Sequence, residues 1–177
     1  MKYSRSMRIL HWVMALIIIG LITAGIVMVA LPDSDPIKFG VLFPWHKSFG
    51  MLVLFLVVAR ILIRLRSVIP ALPGTISPLE ARTSGAVHVV LYALMVLVPL
   101  TGYSMSSVFT QSDGVNFFGT FLPELLPKND AWFSVLEELH HVLAFTLLGL
   151  LSLHVAGVLK HRFFDRDRNA DVLSRMV

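Results

Sequence analysis

Four apolar runs, each about as long as a helix must be to cross the hydrocarbon of a bilayer, leave this chain few folds to choose from. They cover roughly residues 9–31, 45–65, 87–109 and 135–160. Inside lipid no water is available to bond a stray N–H or C=O, so a run of this kind is stable only as a helix. The expected fold is an all-α, integral membrane four-helix bundle forming one domain over residues 1–177. The first run does not read as a cleavable signal peptide. It is too long, lacks a small-residue cleavage site and carries His11 at its basic end.

The charges fix an orientation. Lys2, Arg5, Arg8, Arg60, Arg64, Arg66, Arg82, Lys160, Arg162, Arg166, Arg168 and Arg175 flank one set of helix ends, and only Lys38, Lys47 and Lys128 flank the other. By the positive-inside rule, twelve against three places both termini and the 66–86 loop on the cytoplasmic side. The same asymmetry accounts for the net charge of +4, which therefore carries no implication of nucleic-acid binding. The chain has no cysteine, which excludes disulfides, iron–sulfur clusters and thiolate-ligated haem.

Within that frame the histidines sort by depth. His11 lies just inside the cytoplasmic boundary beside Trp12, an interfacial-belt residue. His46 follows Pro44 and Trp45 at the outer start of the second run, and Gly50 lies one turn below it, leaving room for close packing or for a flat macrocycle. The last run carries His140 and His154, fourteen residues apart. That spacing is close to four whole turns, so the two imidazoles share a face and are separated along the axis by about 21 Å. Two layers result, His46 with His140 outside and His11 with His154 inside, each drawing its histidines from different helices.

Paired imidazoles across an apolar slot are what a six-coordinate haem iron requires. Zinc would want three or four ligands in one cluster. A di-iron carboxylate centre would need more than the overlapping Glu-x-x-His pairs of residues 137–141, because the remaining glutamates, Glu80 and Glu124, fall in loops. A histidine proton relay would bring intramembrane carboxylates, which the spans are read as lacking. His88, near the cytoplasmic start of the third run, reads either as a hydrogen-bonded core residue or as part of a polar ligand pocket. Pro99 is expected to kink that helix. The outer loop, residues 110–134, is long and aromatic (Phe117, Phe118, Phe121, Trp132, Phe133) and is expected to form a lid or a short interfacial helix.

Several local motifs resemble those of the bacterial cytochrome b561 family: Lys2-Tyr3-Ser4-Arg5 with Leu10-His11-Trp12, His46-Lys47-Ser48-Phe49-Gly50, and Val58-Ala59-Arg60-Ile61-Leu62. Others are His88-Val89-Val90-Leu91-Tyr92, Pro99-Leu100-Thr101-Gly102-Tyr103, and Leu153-His154 followed by Lys160-His161-Arg162-Phe163-Phe164. The resemblance runs helix by helix over essentially the whole chain. It implies two b-type haems, with His11 and His154 ligating the cytoplasmic-side iron and His46 and His140 the outer one. It also implies electron transfer between the periplasmic face and the quinone pool, in its best-understood form superoxide oxidation coupled to ubiquinone reduction. Other members look like quinol-linked donors to a soluble periplasmic partner.

The residues qualify these expectations. The outside surface offers few cations to steer an anion, and Lys47, next to the outer ligand, is the one well-placed candidate; its plainer reading is a snorkelling side chain. Quinone reduction needs a proton donor and hydrogen bonds to two carbonyl oxygens. His88, Arg60, Lys160 and His161 are the candidates around the inner layer, as quinone contacts or as partners of haem propionates. For Lys160 and His161, ordinary interfacial anchoring serves equally well.

Overall fold

In the computed structural model, which describes residues 2–112, 114–165, 167 and 170–177, four long helices account for most of the chain. Arg166 and Arg168 of the cationic flank and Asp113 of the outer loop lie outside those residues. The helices are α1 (Arg5–Ala30), α2 (Phe43–Arg66), α3 (Pro78–Val108) and α4 (Asp130–Phe163). All four are long and apolar enough to cross a membrane.

Local chemistry sets their ends. The Ser4 hydroxyl accepts the Met7 N–H to open α1, and Pro32 follows soon after its close. A π-helical turn, Lys38–Leu42, leads without a break into α2, which has Pro44 in its first turn. The third helix starts well before the apolar run that announces it. Ser77 and Glu80 form a reciprocal capping box around Pro78, so residues 78–86 are helical and the connection from α2 is correspondingly short. Pro99 sits inside α3.

The outer loop folds differently from the expected lid or helix. Strands β1 (Val115–Phe117) and β2 (Thr120–Leu122) pair antiparallel as a small hairpin. Its turn residues, Phe118 and Gly119, have φ of 51° and 87°. A two-residue turn with both φ positive matches the twist of the strands, although the first position strains a bulky side chain. Compensation comes from α2. The Ser48 hydroxyl accepts the Phe118 N–H at 3.0 Å and bonds Asn116, while Phe118 packs edge-on against Trp45 and Phe49. Phe117 reaches further down to Phe55. The hairpin is therefore fastened along the start of α2.

A central apolar cluster of Met14, Ile18, Val53, Val57, Leu91, Leu94 and Leu147 draws on all four helices. Most other apolar side chains on the helices point outward, as a lipid-solvated bundle requires. The packing is uneven: α1 lies on α2, α2 on α3 and α3 on α4, whereas α4 makes no comparable approach to α1 or α2. That open side is where the histidines cross. At the basic end the chain returns under the bundle. Tyr3 N–H donates to the Arg175 carbonyl and the Trp12 indole to the Met176 carbonyl, at 3.1 and 2.9 Å.

Candidate haem sites

Near the hairpin end, His46 of α2 and His140 of α4 face each other with ring centroids 6.3 Å apart and planes crossing at 73°. Near the basic end, His11 of α1 and His154 of α4 do the same at 6.3 Å and 72°. An imidazole nitrogen binds a transition metal at about 2 Å and its ring centre lies roughly 1 Å beyond, so two imidazoles on opposite sides of one iron hold their centres about 6 Å apart. Both pairs meet that spacing across the side of the bundle where α4 stands off. No group of three or more His, Cys, Asp or Glu suited to a metal ion occurs among the described residues, which favours a two-imidazole site over zinc.

The surroundings of the hairpin-end pair fit a bound macrocycle. The nearest atom to a Cβ built on Gly102 would be His140 Cε1 at 3.1 Å, and on Gly25 it would be His46 Cε1 at 3.7 Å. Glycine at these points lets the helix backbones come up against the imidazoles. A Cβ on Gly50 meets nothing within 4 Å, so the face beneath His46 is open. His46 Nδ1 is buried with no hydrogen-bond partner among the described residues, a costly state unless a bound group changes its surroundings. His140 is held more firmly. Its Nδ1 lies 3.0 Å from the Val98 carbonyl, one residue before Pro99, and 3.2 Å from Thr101 Oγ1. A carbonyl only accepts, so Nδ1 carries the proton and the lone pair of Nε2 is left for a metal.

The basic-end pair is surrounded by polar groups. His88 of α3 packs on His154 with centroids 5.3 Å apart, making a cluster of three imidazoles. Arg60 is buried, 8% exposed, and donates from Nε to the Tyr92 hydroxyl at 3.0 Å. Its Nη2 lies 3.0 Å from His11 Nδ1. Guanidinium has no acceptor, so His11 Nδ1 must accept, and the proton of that neutral ring sits on Nε2. Ligation through Nε2 would need the proton moved to Nδ1 and Arg60 turned elsewhere. No carboxylate pairs with Arg60 among the described residues, and Arg64 lies over the Tyr92 ring at 5.8 Å. A buried cation of this kind suits an anionic group such as a haem propionate.

The four residues singled out for a quinone or propionate thus divide. His88 and Arg60 meet at the inner histidine cluster. Lys160 and His161 belong to a surface network instead: Lys160 pairs with Glu80 of α3 and with Asp165, and His161 Nδ1 lies 2.6 Å from Asp165 Oδ2. The His161 hydrogen bond, aided by Lys160, holds the Asp165 carboxyl below its usual range. Lys47 Nζ approaches the Gly114 carbonyl at 3.5 Å, beneath the hairpin and next to His46. Sequence reasoning assigned no site role to Tyr92, Thr101, Gly25 or Gly102. The Pro99-Leu100-Thr101-Gly102 string was legible as a motif, but which ring it would touch was not.

The family model for prokaryotic cytochrome b561 matches residues 2–177. Cytochrome b561 homolog 2 of Escherichia coli (strain K12) is 31% identical over 99% of this chain and 91% of its own length. The probable superoxide oxidase CybB of Yersinia pestis is 26% identical over 94% of this chain and 92% of its own. The chain belongs to the prokaryotic cytochrome b561 family, and is accordingly a multi-pass protein of the bacterial inner membrane that uses haem b for electron transfer across the bilayer.

Proposed function

We propose that this protein holds two haems b, one between His46 and His140 and one between His11 and His154, and carries electrons from superoxide at the outer face to ubiquinone at the inner one. The observation that carries the reading is the pair of equal 6.3 Å imidazole separations at opposite ends of α4. In this reading the chain is a single domain with its basic end in the cytoplasm, as the positive-inside rule directs. Haem, when bound, supplies an iron that takes up and gives back one electron at a time.

The chain's own residues do the rest. The imidazole pairs fix the two layers about 21 Å apart along α4. Apolar side chains between them, Val57 and Leu147 among others, exclude water. Lys47 places positive charge beside the outer ligand, where it raises the encounter rate of a small anion. Around the inner pair, His88 and Tyr92 supply proton donors for a quinone, and Arg60 supplies a hydrogen bond to a carbonyl oxygen. Lys160, paired with Glu80, ties α4 to α3 at the entrance, and His161 beside it bonds Asp165. The similarity to a probable superoxide oxidase supports the choice of donor.

Stopped-flow mixing of the haem-loaded protein with superoxide, in the presence of a short-chain ubiquinone, tests the reading. The expected result is haem reduction at near-diffusional rate followed by quinol formation, with Lys47→Glu slowing the first phase and reversing its salt dependence. Haems that superoxide leaves oxidised would overturn it. A second reading, a quinol-linked anchor that passes electrons to a soluble periplasmic partner, is favoured by one observation: Phe118, Phe121 and Leu125 are exposed at the hairpin end. In that case removing residues 117–133 abolishes partner reduction and leaves both haems in place.

A further inference from the structure

Between Gly114 and Pro123 the outer loop has no charged residue, and it holds Phe117, Phe118, Phe121 and Leu122. Its hairpin lies down along α2, and α2 gives its depth. From Trp45 to Arg64 that helix rises about 28 Å, the thickness of the hydrocarbon, with a belt aromatic at one end and a cation at the other. Phe49 then lies about 6 Å below Trp45, and Phe55 about 15 Å below it. The Phe118 ring meets Phe49 edge-on with centroids 5.2 Å apart, and Phe117 meets Phe55 at 5.8 Å. Helix side chains lean toward the N-terminus, so the Phe55 ring stands above its own Cα. The tip of the hairpin therefore rests below the belt residue, at the edge of the acyl chains.

The turn is built for that depth. Where lipid replaces water, a backbone N–H has to find its acceptor inside the protein. Phe118 N–H donates to Ser48 Oγ at 3.0 Å, and Gly119 N–H to Asn116 Oδ1 at 3.4 Å. The Phe117 carbonyl accepts from Thr120 Oγ1 at 2.8 Å. Ser48 is buried beneath the hairpin and donates in turn to the Pro44 carbonyl. On the outward side the rings are bare, with Phe118 45% and Phe121 61% exposed. Through Phe117 they join an apolar strip on α2, Phe55, Val58 and Leu62, whose side chains are each about half exposed. That strip faces lipid, and the hairpin rings extend it toward the outer end.

We propose that the hairpin is a membrane wedge: the rings of Phe118 and Phe121 enter the acyl chains of the leaflet at that end, and the two strands hold them there against α2. The partner of this aromatic surface is the lipid itself and not a soluble protein. Phenylalanine suits the task because it has no polar atom to keep at the headgroups, unlike the Trp45 ring above it. With its tip held in lipid and β1 resting on both α2 and α3, the hairpin clamps the ends of those helices beside His46. The wedge depends only on the membrane-spanning helices, and it holds whether or not haem occupies the histidine pairs.

The chain has no cysteine, so single nitroxide labels can be attached without further change. The test uses the full chain with its haem, in nanodiscs of phosphatidylethanolamine and phosphatidylglycerol, labelled at Phe118→Cys and separately at Phe121→Cys. Val58→Cys, on the lipid-facing side of α2, and Gln111→Cys, in the exposed outer loop, serve as references. Collision with oxygen, which concentrates among acyl chains, is compared with collision with a water-soluble nickel chelate. The expected oxygen-to-nickel ratio at both hairpin labels is about tenfold above that of the Gln111 label and close to that of the Val58 label, with haem content unchanged. A Phe121 label with the same ratio as the Gln111 label overturns the proposal and gives the rings back to a soluble partner. So does a Phe121 label that neither reagent reaches and that broadens as protein is added to each disc, because a second copy of the chain then covers it. The Phe121 label decides the matter where a label at Phe118 disturbs the turn.

Discussion

The two histidine layers match in ligand geometry and differ in almost everything around it. Each has two imidazoles 6.3 Å apart, nearly perpendicular, one of them from α4. At the outer layer the neighbours are backbone and small residues: the Val98 carbonyl, the Thr101 hydroxyl and the glycines at 25 and 102. At the inner layer they are ionisable or strongly polar: His88, Arg60 and Tyr92, with Arg64 over the tyrosine ring. In the proposed reading the outer layer is set for ligation before any haem arrives, because the Val98 carbonyl fixes the His140 tautomer, whereas the inner layer would have to exchange the Arg60–His11 contact for another. A site that only relays electrons gains from rigid neutral surroundings, whereas one that couples electrons to protons needs groups that titrate.

The largest expected effect would break the comparison outright. His46→Ala and His11→Ala should each take the haem content from two per chain to one, read as a pyridine haemochrome against protein concentration. Loss of both haems from either variant would mean that the layers are not independent sites.

Next in size is a test of the glycine seat. A Cβ at position 102 would stand 3.1 Å from His140 Cε1, where real Cβ contacts are scarce, and its neighbour is a ring already held by two bonds. Gly102→Val should empty most of the outer layer, and Gly102→Ala should lower its occupancy or distort its spectrum. Gly50→Ala, with open space around the new atom, should do neither. Equal losses from Gly50→Ala and Gly102→Ala would show that general helix packing is at stake rather than the ring.

Arg60→Gln sharpens the inner half. Removing a buried positive charge disfavours the reduced, less positive iron, so the inner midpoint potential should fall. With an effective dielectric of about 20 and a separation of about 10 Å, the shift is on the order of 70 mV. The outer potential should stay where it is. A redox titration followed at the two haems separately decides it, and an unshifted inner haem would place Arg60 outside its field.

How far the sequence reached follows from what each feature depends on. The spans were legible because hydrophobic length alone forces a helix in lipid, and the histidine layers because fourteen residues along α4 is a near-integral number of turns. The early start of α3 was also written in the chain, as Ser77-Pro78-Leu79-Glu80, but the apolar run beginning at residue 87 drew the boundary instead. The hairpin was harder. Its only local signal is a Phe118-Gly119 turn, and Phe118 accepts a positive φ because Ser48, seventy residues away, takes its N–H. The roles of Gly25, Gly102 and Arg60 depend on which helix comes to lie opposite. Depth sorting put Arg60 near the inner layer, and only packing set it against His11 and Tyr92.

The smallest expected effect concerns how the outer imidazole is tuned. Thr101 Oγ1 donates to the Val98 carbonyl at 2.8 Å, and the same carbonyl accepts from His140 Nδ1. The hydroxyl therefore draws off part of the acceptor strength that would otherwise act on the imidazole. Thr101→Val removes both that competitor and the 3.2 Å contact of Oγ1 with His140 Nδ1, two opposing effects on the basicity of the ring. The outer potential should move much less than the inner one does in Arg60→Gln, with full haem content and an unchanged inner potential. A shift as large as that of Arg60→Gln, or loss of the outer haem, would mean that Thr101 and not Val98 is what holds His140. The outer layer would then depend on a side chain, and its contrast with the inner one would be a matter of degree.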